Sequence, residues 1–189
     1  MSALPVLASE RLVLRQVRVT DAEALFSVLS DAELMTWWSS GPHSTVAETR
    51  TYLEPAAAGD WRSWAITRIG NDTALGWVNA HDRRENVCEL GYILARSAWG
   101  QGIAREAVTL VLDQVLITEG QRRVFADADP ENAASIRLLT SMGFVQEGHL
   151  RAEWETHIGV RDSLIFGLLR DEWLPRRPQP ADRAGASSA

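Results

Sequence analysis

The alternation of apolar and polar residues along the chain predicts a mixed α/β domain. Segments with a repeat of two, or short apolar runs rich in β-branched residues, predict strands. The predicted strands cover residues 11–17, 61–69, 74–81, 87–94 and 123–127, and a last hairpin pairs residues 144–151 with 163–169. Apolar spacings of three and four predict helices over residues 21–29, 31–38, 44–53, 102–118 and 129–141, with the third helix stopped by Pro55 and Gly59.

The junction between the strand at 87–94 and the next helix has the sequence W-G-Q-G-I-A, from Trp99 to Ala104. Gly100 and Gly102 stand where that helix begins. The first N–H groups of a helix have no partner inside it and carry a partial positive charge. Glycines at this place let a phosphate oxygen approach these donors closely. The junction therefore predicts an anion site, and a pyrophosphate is the ligand that it suits best.

Two common phosphate-binding motifs do not fit this junction. Dinucleotide binding needs G-x-G-x-x-G, and Arg105 takes the place of the third glycine. A P-loop needs a lysine, and the 19 basic residues of this chain are all arginine. A phosphate here must therefore be held by arginine or by backbone N–H groups alone.

Composition narrows the classes of function. A chain of 189 residues suits one domain with a sizeable core. No apolar run approaches the ~20 residues that cross a bilayer, and the N-terminus has no signal-peptide pattern, so we expect no membrane association. The single cysteine, Cys88, excludes an internal disulfide and predicts a cytoplasmic location. The four histidines show no metal-ligand spacing, which predicts no metal.

The formal net charge of −6 argues against binding to nucleic acid. An acidic body suits a cationic acceptor such as an amine instead.

Trp99 to Ala104 resembles the core motif of the GNAT superfamily of acetyl-CoA-dependent N-acetyltransferases, Q/R-x-x-G-x-G/A, except at its first position. With a tryptophan at that position, the chain resembles the branch of ribosomal-protein-alanine acetyltransferases of the RimJ/RimL type. Residues 10–15, 132–144 and 170–173 agree with that family in order and spacing. The resemblance spans residues 9–173, which places the domain at 1–174. Residues 175–189, rich in Pro, Ala, Gly and Ser, are expected to be a disordered tail.

The resemblance implies a GNAT fold, with flanking helices and a mostly antiparallel central sheet splayed between strand 87–94 and strand 123–127. It also implies direct attack of an amine on acetyl-CoA in a ternary complex. The pantetheine arm is expected in the splay, and main-chain N–H near Ile93 or Leu94 is expected to polarise the thioester carbonyl. The implied cofactor-binding residues are Gly91, Ile93, Leu94, Trp99, Gly100, Gln101, Gly102, Ile103, Ala104, Asn132 and Ser135.

Glu89 is the predicted proton acceptor. Alternation places it on one side of its strand with Gly91 and Ile93. A carboxylate on an otherwise apolar strand is costly unless it is hydrogen-bonded or exposed, and such a group can relay a proton from an ammonium through water. The alternative is a structural pair with Arg83 or Arg84. Asp82 and His81 are the weaker candidates for the same role.

Asn132 and Ser135 are three residues apart at a predicted helix start, so the plain interpretation is helix capping. The resemblance adds a function: Asn132 matches an asparagine that contacts the pantetheine, and Ser135 can reach the cofactor sulfur as an acid. Many relatives carry a tyrosine as the acid where this chain has Leu139. That departure either moves the role to Ser135 or leaves it to water.

The eight tryptophans are many for this length, and four of them lie between residues 37 and 64. Trp37, Trp38 and Trp61 are predicted to shape the acceptor pocket. Trp64 and Trp77 are assigned to the core, and Trp154 and Trp173 to packing. On the last hairpin, Glu153, Glu155 and His157 either hold a basic acceptor or form a solvated tip, and the tip is the preferred interpretation of each.

The sequence thus predicts an acetyl-CoA-dependent N-acetyltransferase with a protein or peptide N-terminal α-amine as its acceptor. Two alternatives stay open. One is an enzyme that acetylates a small amine, such as a polyamine, an amino acid or an aminoglycoside. The other is a non-catalytic acyl-CoA-binding module. The sequence leaves open whether the chain forms a homodimer.

Overall fold

The computed structural model of the chain describes residues 4–59 and 61–177. One sheet of eight strands has the order β1-β2-β3-β4-β5-β6-β8-β7. The strands are β1 (Leu7–Ala8), β2 (Leu12–Gln16), β3 (Arg62–Arg68), β4 (Gly76–Arg84), β5 (Val87–Leu94), β6 (Arg123–Ala128), β7 (Val145–Thr156) and β8 (Gly159–Leu169). The helices are α1 (Ala22–Leu29), α2 (Ala32–Met35), α3 (Val46–Ala58), α4 (Ile103–Leu112), α5 (Ala133–Ser141) and α6 (Arg170–Trp173).

Neighbouring strands of the sheet run antiparallel, except that β5 and β6 run parallel. Between β5 and β6 the chain passes through α4 and a π-helical segment at Asp113–Thr118. A parallel pair needs such a crossover, because the second strand must start at the same end as the first. The predicted mixed α/β fold is confirmed.

Each face of the sheet has its own core. Cys88, Leu90 and Leu94 of β5 pack with α4 and α5 on one face. Ile93 points to the other face and packs in the core of α1 and α3. The two faces follow from alternation along the strand. Cys88 is fully buried, and burial raises the pKa of its thiol to about 11.

Some predicted element boundaries are wrong. Pro55 does not stop α3, which continues to Ala58 and ends at Gly59 with φ of 86°. A proline this close to the C-terminal end forfeits one intrahelical hydrogen bond without breaking the remaining turns. The helix predicted from residue 129 begins at Ala133, because the Asn132 side chain caps it by accepting the Ser135 N–H at 3.0 Å. The last hairpin is longer than predicted at both strands.

Part of the tail predicted to be disordered belongs to the described chain. The N–H groups of Arg176 and Arg177 donate to the carbonyl of Trp173, which continues α6 as a turn. The remaining residues of that prediction, 178–189, lie outside the described residues.

Within residues 4–59 and 61–177, no helix has the length and apolar character to span a membrane. The same residues contain no group of three or more potential metal-ligating side chains.

Candidate active site

The centre of the sheet opens into a gap between β5 and β6. The two strands pair only at Val87–Arg123, Cys88–Val124 and Glu89–Phe125. From Leu90 onward they part, and a cavity of about 710 Å³ fills the space. The splay predicted between these strands is present. Among the strands that the structure describes, none pairs with the β6-facing edge of β5 beyond Glu89.

The cavity collects most of the residues that the sequence singled out. Glu89 and Ser135 line it together with Trp37 and Trp38. The cofactor-binding candidates that line it are Gly91, Ile93, Leu94, Trp99, Gly100, Gly102, Ile103, Ala104 and Asn132. Gln101 and Trp61 are outside this lining.

One end of the cavity is the N-terminus of α4. Gly100 and Gly102 have φ of 71° and 75°, a left-handed conformation that favours glycine. Within the described part of the chain, a Cβ on Gly100 would meet nothing within 4 Å, and one on Gly102 would meet only the Arg11 guanidinium, at 3.7 Å. The Gly102 position has no side chain with which to cap α4. Open space beside uncapped backbone donors fits the diphosphate of CoA.

Side chains of the loop before α4 hold that loop in place. The Trp99 indole N–H donates to the carbonyl of Leu94 at 2.8 Å, which ties the loop to the end of β5. Gln101 donates to the Ser97 carbonyl at 2.9 Å and accepts from Arg68 at 2.6 Å. The Gln101 side chain therefore supports the loop from outside the cavity, while backbone groups face the anion site.

Ser135 lies on the α5 side of the gap and meets a group that sequence reasoning missed. Its hydroxyl is 2.7 Å from the hydroxyl of Tyr92 on β5. Burial raises the pKa of Tyr92 to about 12, so this phenol stays protonated at neutral pH. Leu139, at the position of the family's tyrosine, is fully buried in the core. The structure thus supplies a tyrosine hydroxyl to Ser135 from a different element.

Glu89 lies on the other face of β5 from Tyr92. It lines the cavity and also forms an ion pair with Arg83. The Arg83 guanidinium donates to its carboxylate. The structural pair that was the alternative interpretation of Glu89 is therefore present, and its role as proton acceptor stays a prediction. His81, its partner across the β4–β5 ladder, also lines the cavity.

Asp127, near the end of β6, is a second carboxylate in the cavity that sequence reasoning passed over. Its oxygens accept the Trp154 indole N–H at 2.7 Å and the Ser163 hydroxyl. The alternation A-D-A-D at residues 126–129 was the available signal. Nothing in the local sequence shows that the aspartate faces a cavity.

Trp37 and Trp38 form part of the cavity wall on the Glu89 side, and other tryptophans pack behind that wall. Trp38 packs edge-on against Trp77 at 5.8 Å between ring centroids and donates its N–H to the Tyr52 hydroxyl at 2.9 Å. Trp61 lies against His81, with 5.6 Å between ring centroids. The assignment of Trp154 to packing is wrong, because this side chain is 44% exposed and lines the cavity.

The assignment of Trp64 and Trp77 to the core and that of Trp173 to packing are confirmed, since each is at most 4% exposed. At the hairpin tip, Glu153, Glu155 and His157 are exposed and outside the cavity lining. That placement agrees with the preferred interpretation of these residues as a solvated tip.

The family profile described as "Acetyltransferase (GNAT) domain" matches residues 11–145 of this chain. The chain belongs to the GNAT acetyltransferase family. A relative named "Uncharacterized N-acetyltransferase p20", from Bacillus licheniformis, is 31% identical over 176 residues, which cover 90% of this chain and 99% of the relative. The crystal structure of an acetyltransferase (GNAT family) from Bacillus anthracis has a TM-score of 0.82 at 22% identity and covers 89% of this chain and 100% of that one, which shows the same fold.

Two further relatives have a named acceptor. The ribosomal protein uS5-alanine N-acetyltransferase of Escherichia coli (strain K12) is 29% identical over 92 residues, which cover 49% of this chain and 47% of the relative. The Spermidine N(1)-acetyltransferase of Vibrio cholerae is 20% identical over 170 residues and covers 89% of this chain and 98% of the relative.

The predicted acetyl-CoA-dependent N-acetyltransferase is confirmed by the family match, and the alternative of a non-catalytic module is set aside. In this GNAT acetyltransferase acetyl-CoA supplies an acetyl thioester. The backbone N–H groups at the start of α4 would hold the diphosphate, and the open edge of β5 would hold the pantetheine arm. Ser135 and Tyr92 place two hydroxyls on the α5 side of the gap, and either would be able to donate a hydrogen bond to a leaving thiolate.

We expect Glu89→Gln to lower kcat about tenfold at pH values below the pKa of the amine, where deprotonation of the acceptor limits the reaction. The loss should fade at higher pH, because the amine is then already neutral. Binding of CoA should be unchanged. The measurement is a pH–rate profile beside that of Glu85→Gln, which makes the same charge change in the exposed β4–β5 turn. If the Glu89→Gln profile overlays that of the wild type, Glu89 is not the base, and Asp82 or bulk water is the next candidate.

Proposed function

We propose that this acetyltransferase modifies a protein or peptide N-terminal α-amine, by direct attack of the amine on the bound thioester in a ternary complex. The observation that carries the proposal is the continuity of the cavity. It joins the α4 N-terminus and Ser135 on one face of the sheet to Trp37, Glu89 and Trp154 on the other. Two substrates can therefore enter from opposite faces and meet in the gap between β5 and β6.

Direct attack is also supported by the position of the only cysteine. A covalent acetyl-enzyme needs a nucleophile that is exposed to the thioester and easily ionised. Cys88 is fully buried outside the cavity lining, and the pKa of its thiol is raised to about 11 by burial. Transfer from CoA to the amine in one step suits this arrangement.

A peptide acceptor is supported by the shape of the mouth of the cavity. Its walls are residues 36–39 on one side and the β7–β8 hairpin on the other, with Trp37 and Trp154 both partly exposed. Such a mouth lets a chain continue into solvent behind its first residue. The partial match to a ribosomal-protein-alanine acetyltransferase points the same way. We include a cytoplasmic site of action in this proposal.

A small polyamine is the second candidate. The same mouth carries the carboxylates of Asp127, Asp129 and Asp162, which suit a molecule with several positive charges. The similarity to a spermidine acetyltransferase along most of the chain also favours it.

A competition assay at equal acceptor concentrations separates the two candidates. We expect lysine-free peptides with small first residues to have a kcat/KM at least about tenfold above that of spermidine or a kanamycin-like aminoglycoside, because their backbone adds contacts along the mouth. The control is the same peptide with a blocked N-terminus, which should not react. A clear preference for the small amines would overturn the peptide proposal and leave the N-acetyltransferase intact.

A further inference from the structure

Asp127 differs from the other carboxylates of the cavity in what surrounds it. Its two oxygens accept hydrogen bonds from the Trp154 indole and the Ser163 hydroxyl, both neutral donors. Neutral donors orient a carboxylate but leave its negative charge uncompensated. A half-buried charge of this kind attracts a cation more strongly than one in bulk water, because the local dielectric constant is lower.

The other carboxylates that line the cavity each face a basic side chain. The Arg161 guanidinium donates to both oxygens of Asp129, at 2.7 and 2.9 Å. Among the described residues that line the cavity, Asp127 is therefore the carboxylate that has no arginine or histidine partner. The pairs are Glu89 with Arg83, Asp129 with Arg161, and Asp162 with His149.

The strand register places Asp127 beside the first open position of the gap. Glu89 pairs with Phe125, and paired residues of neighbouring strands share a face of the sheet. Two residues further along, Gly91 and Asp127 follow on that same face, after the strands have parted. A Cβ on Gly91 would be 2.5 Å from the Asn79 amide oxygen, so the Asn79 side chain lies over Gly91 and lines the cavity there. A small cationic group next to Asp127 can thus also approach this amide oxygen, which is a hydrogen-bond acceptor.

We propose that Asp127 is the binding site for the ammonium group of the acceptor. Trp154 has two parts in this site: its N–H orients the carboxylate, and its ring forms a wall against which a cation packs favourably. The inference rests on the proposed function for the reaction at this cavity, but it holds for any primary amine, whether on a peptide or on a small molecule. It assigns amine recognition to a residue distinct from the predicted base, Glu89.

The test is Asp127→Asn, assayed with whichever amine the competition assay identifies as the best acceptor. Asparagine keeps the size of the side chain but removes the charge. Its oxygen can accept the Trp154 indole N–H and its NH2 group can donate to the Ser163 hydroxyl, so both neighbours keep a partner. We expect kcat/KM for the amine to fall about 30-fold or more, mainly through KM, since loss of one partner of a close charge pair has effects of this order. The Kd of CoA, measured by calorimetry, should stay at the wild-type value.

Two matched variants separate ammonium binding from a structural role. Asp171→Asn makes the same substitution at an exposed carboxylate of α6 outside the cavity lining, and it should change the amine KM less than about threefold. Asp127→Glu retains the charge and should recover a substantial part of the activity. An unchanged amine KM in Asp127→Asn, or an equal loss of CoA affinity, would overturn the inference.

A measurement on the wild type covers the case in which Asp127→Asn does not fold. Binding of an unreactive alkylammonium to the enzyme–CoA complex is compared with that of the alcohol of the same length. We expect the ammonium to bind at least about tenfold more tightly, because only it carries the charge. Equal affinities would refute an ammonium site. A failure of peptide preference alone would refute the proposed acceptor and leave this inference standing.

Discussion

Gly102→Val is expected to abolish most CoA binding while the fold is retained. The cause is the backbone conformation, since Gly102 has φ of 75° and a Cβ there would have room beside Arg11. A β-branched residue is strongly disfavoured in this region, so the turn should shift and carry the first N–H groups of α4 out of line. Loss of two charge-assisted hydrogen bonds corresponds to an affinity loss of about 100-fold. Isothermal titration with CoA measures it.

Gly70→Val is the matched control for this prediction. Gly70 has φ of 77° in the β3–β4 turn, with no described atom within 4 Å of an added Cβ, and it is outside the cavity lining. Both substitutions should lower stability by a similar amount, about 1–2 kcal/mol. Only Gly102→Val should weaken CoA binding. Wild-type affinity in a folded Gly102→Val protein would contradict the assignment of the diphosphate to this turn.

The largest stability effect is expected for Asp21→Asn. Arg15 and Asp21 form a bidentate ion pair at 2.9 and 2.7 Å, with both side chains only 7% exposed. The pair joins β2 to the start of α1. Removing the carboxylate charge leaves a buried guanidinium without its main partner, which costs about 3–5 kcal/mol. For a chain of this size, thermal denaturation should show a Tm lower by about 10 °C.

Asp72→Asn provides the comparison, because Asp72 also accepts a hydrogen bond from Arg15 but is 64% exposed. An exposed partner of this kind contributes little to stability, so its loss should move Tm by no more than about 4 °C. Both variants should bind CoA normally, since Arg15, Asp21 and Asp72 are all outside the cavity lining. Equal Tm values for the two variants would show that the Arg15–Asp21 pair is not a major source of stability.

The sequence by itself determined the features that depend on neighbours along the chain. The glycines before α4, the capping side chain of Asn132 and the alternation in β5 each act within a few residues, so their patterns are visible in the sequence. Element limits were less well determined. For example, the sequence did not show that α3 would continue past Pro55. The helix tolerates this proline because it ends at Ala58, less than one turn later. Alternation also placed Glu89 on the same face of β5 as Gly91 and Ile93, and all three line the cavity.

The tertiary structure alone decided which polar groups meet in the gap and which charges are left uncompensated there. Ser135 meets Tyr92 across 43 positions of sequence, and Asp127 meets Ser163 across 36. Alternation assigns a side chain to a face of its strand, but it does not say which element covers that face. Charge compensation depends on those distant neighbours, because a carboxylate paired with arginine and one held by an indole and a hydroxyl look the same in a sequence.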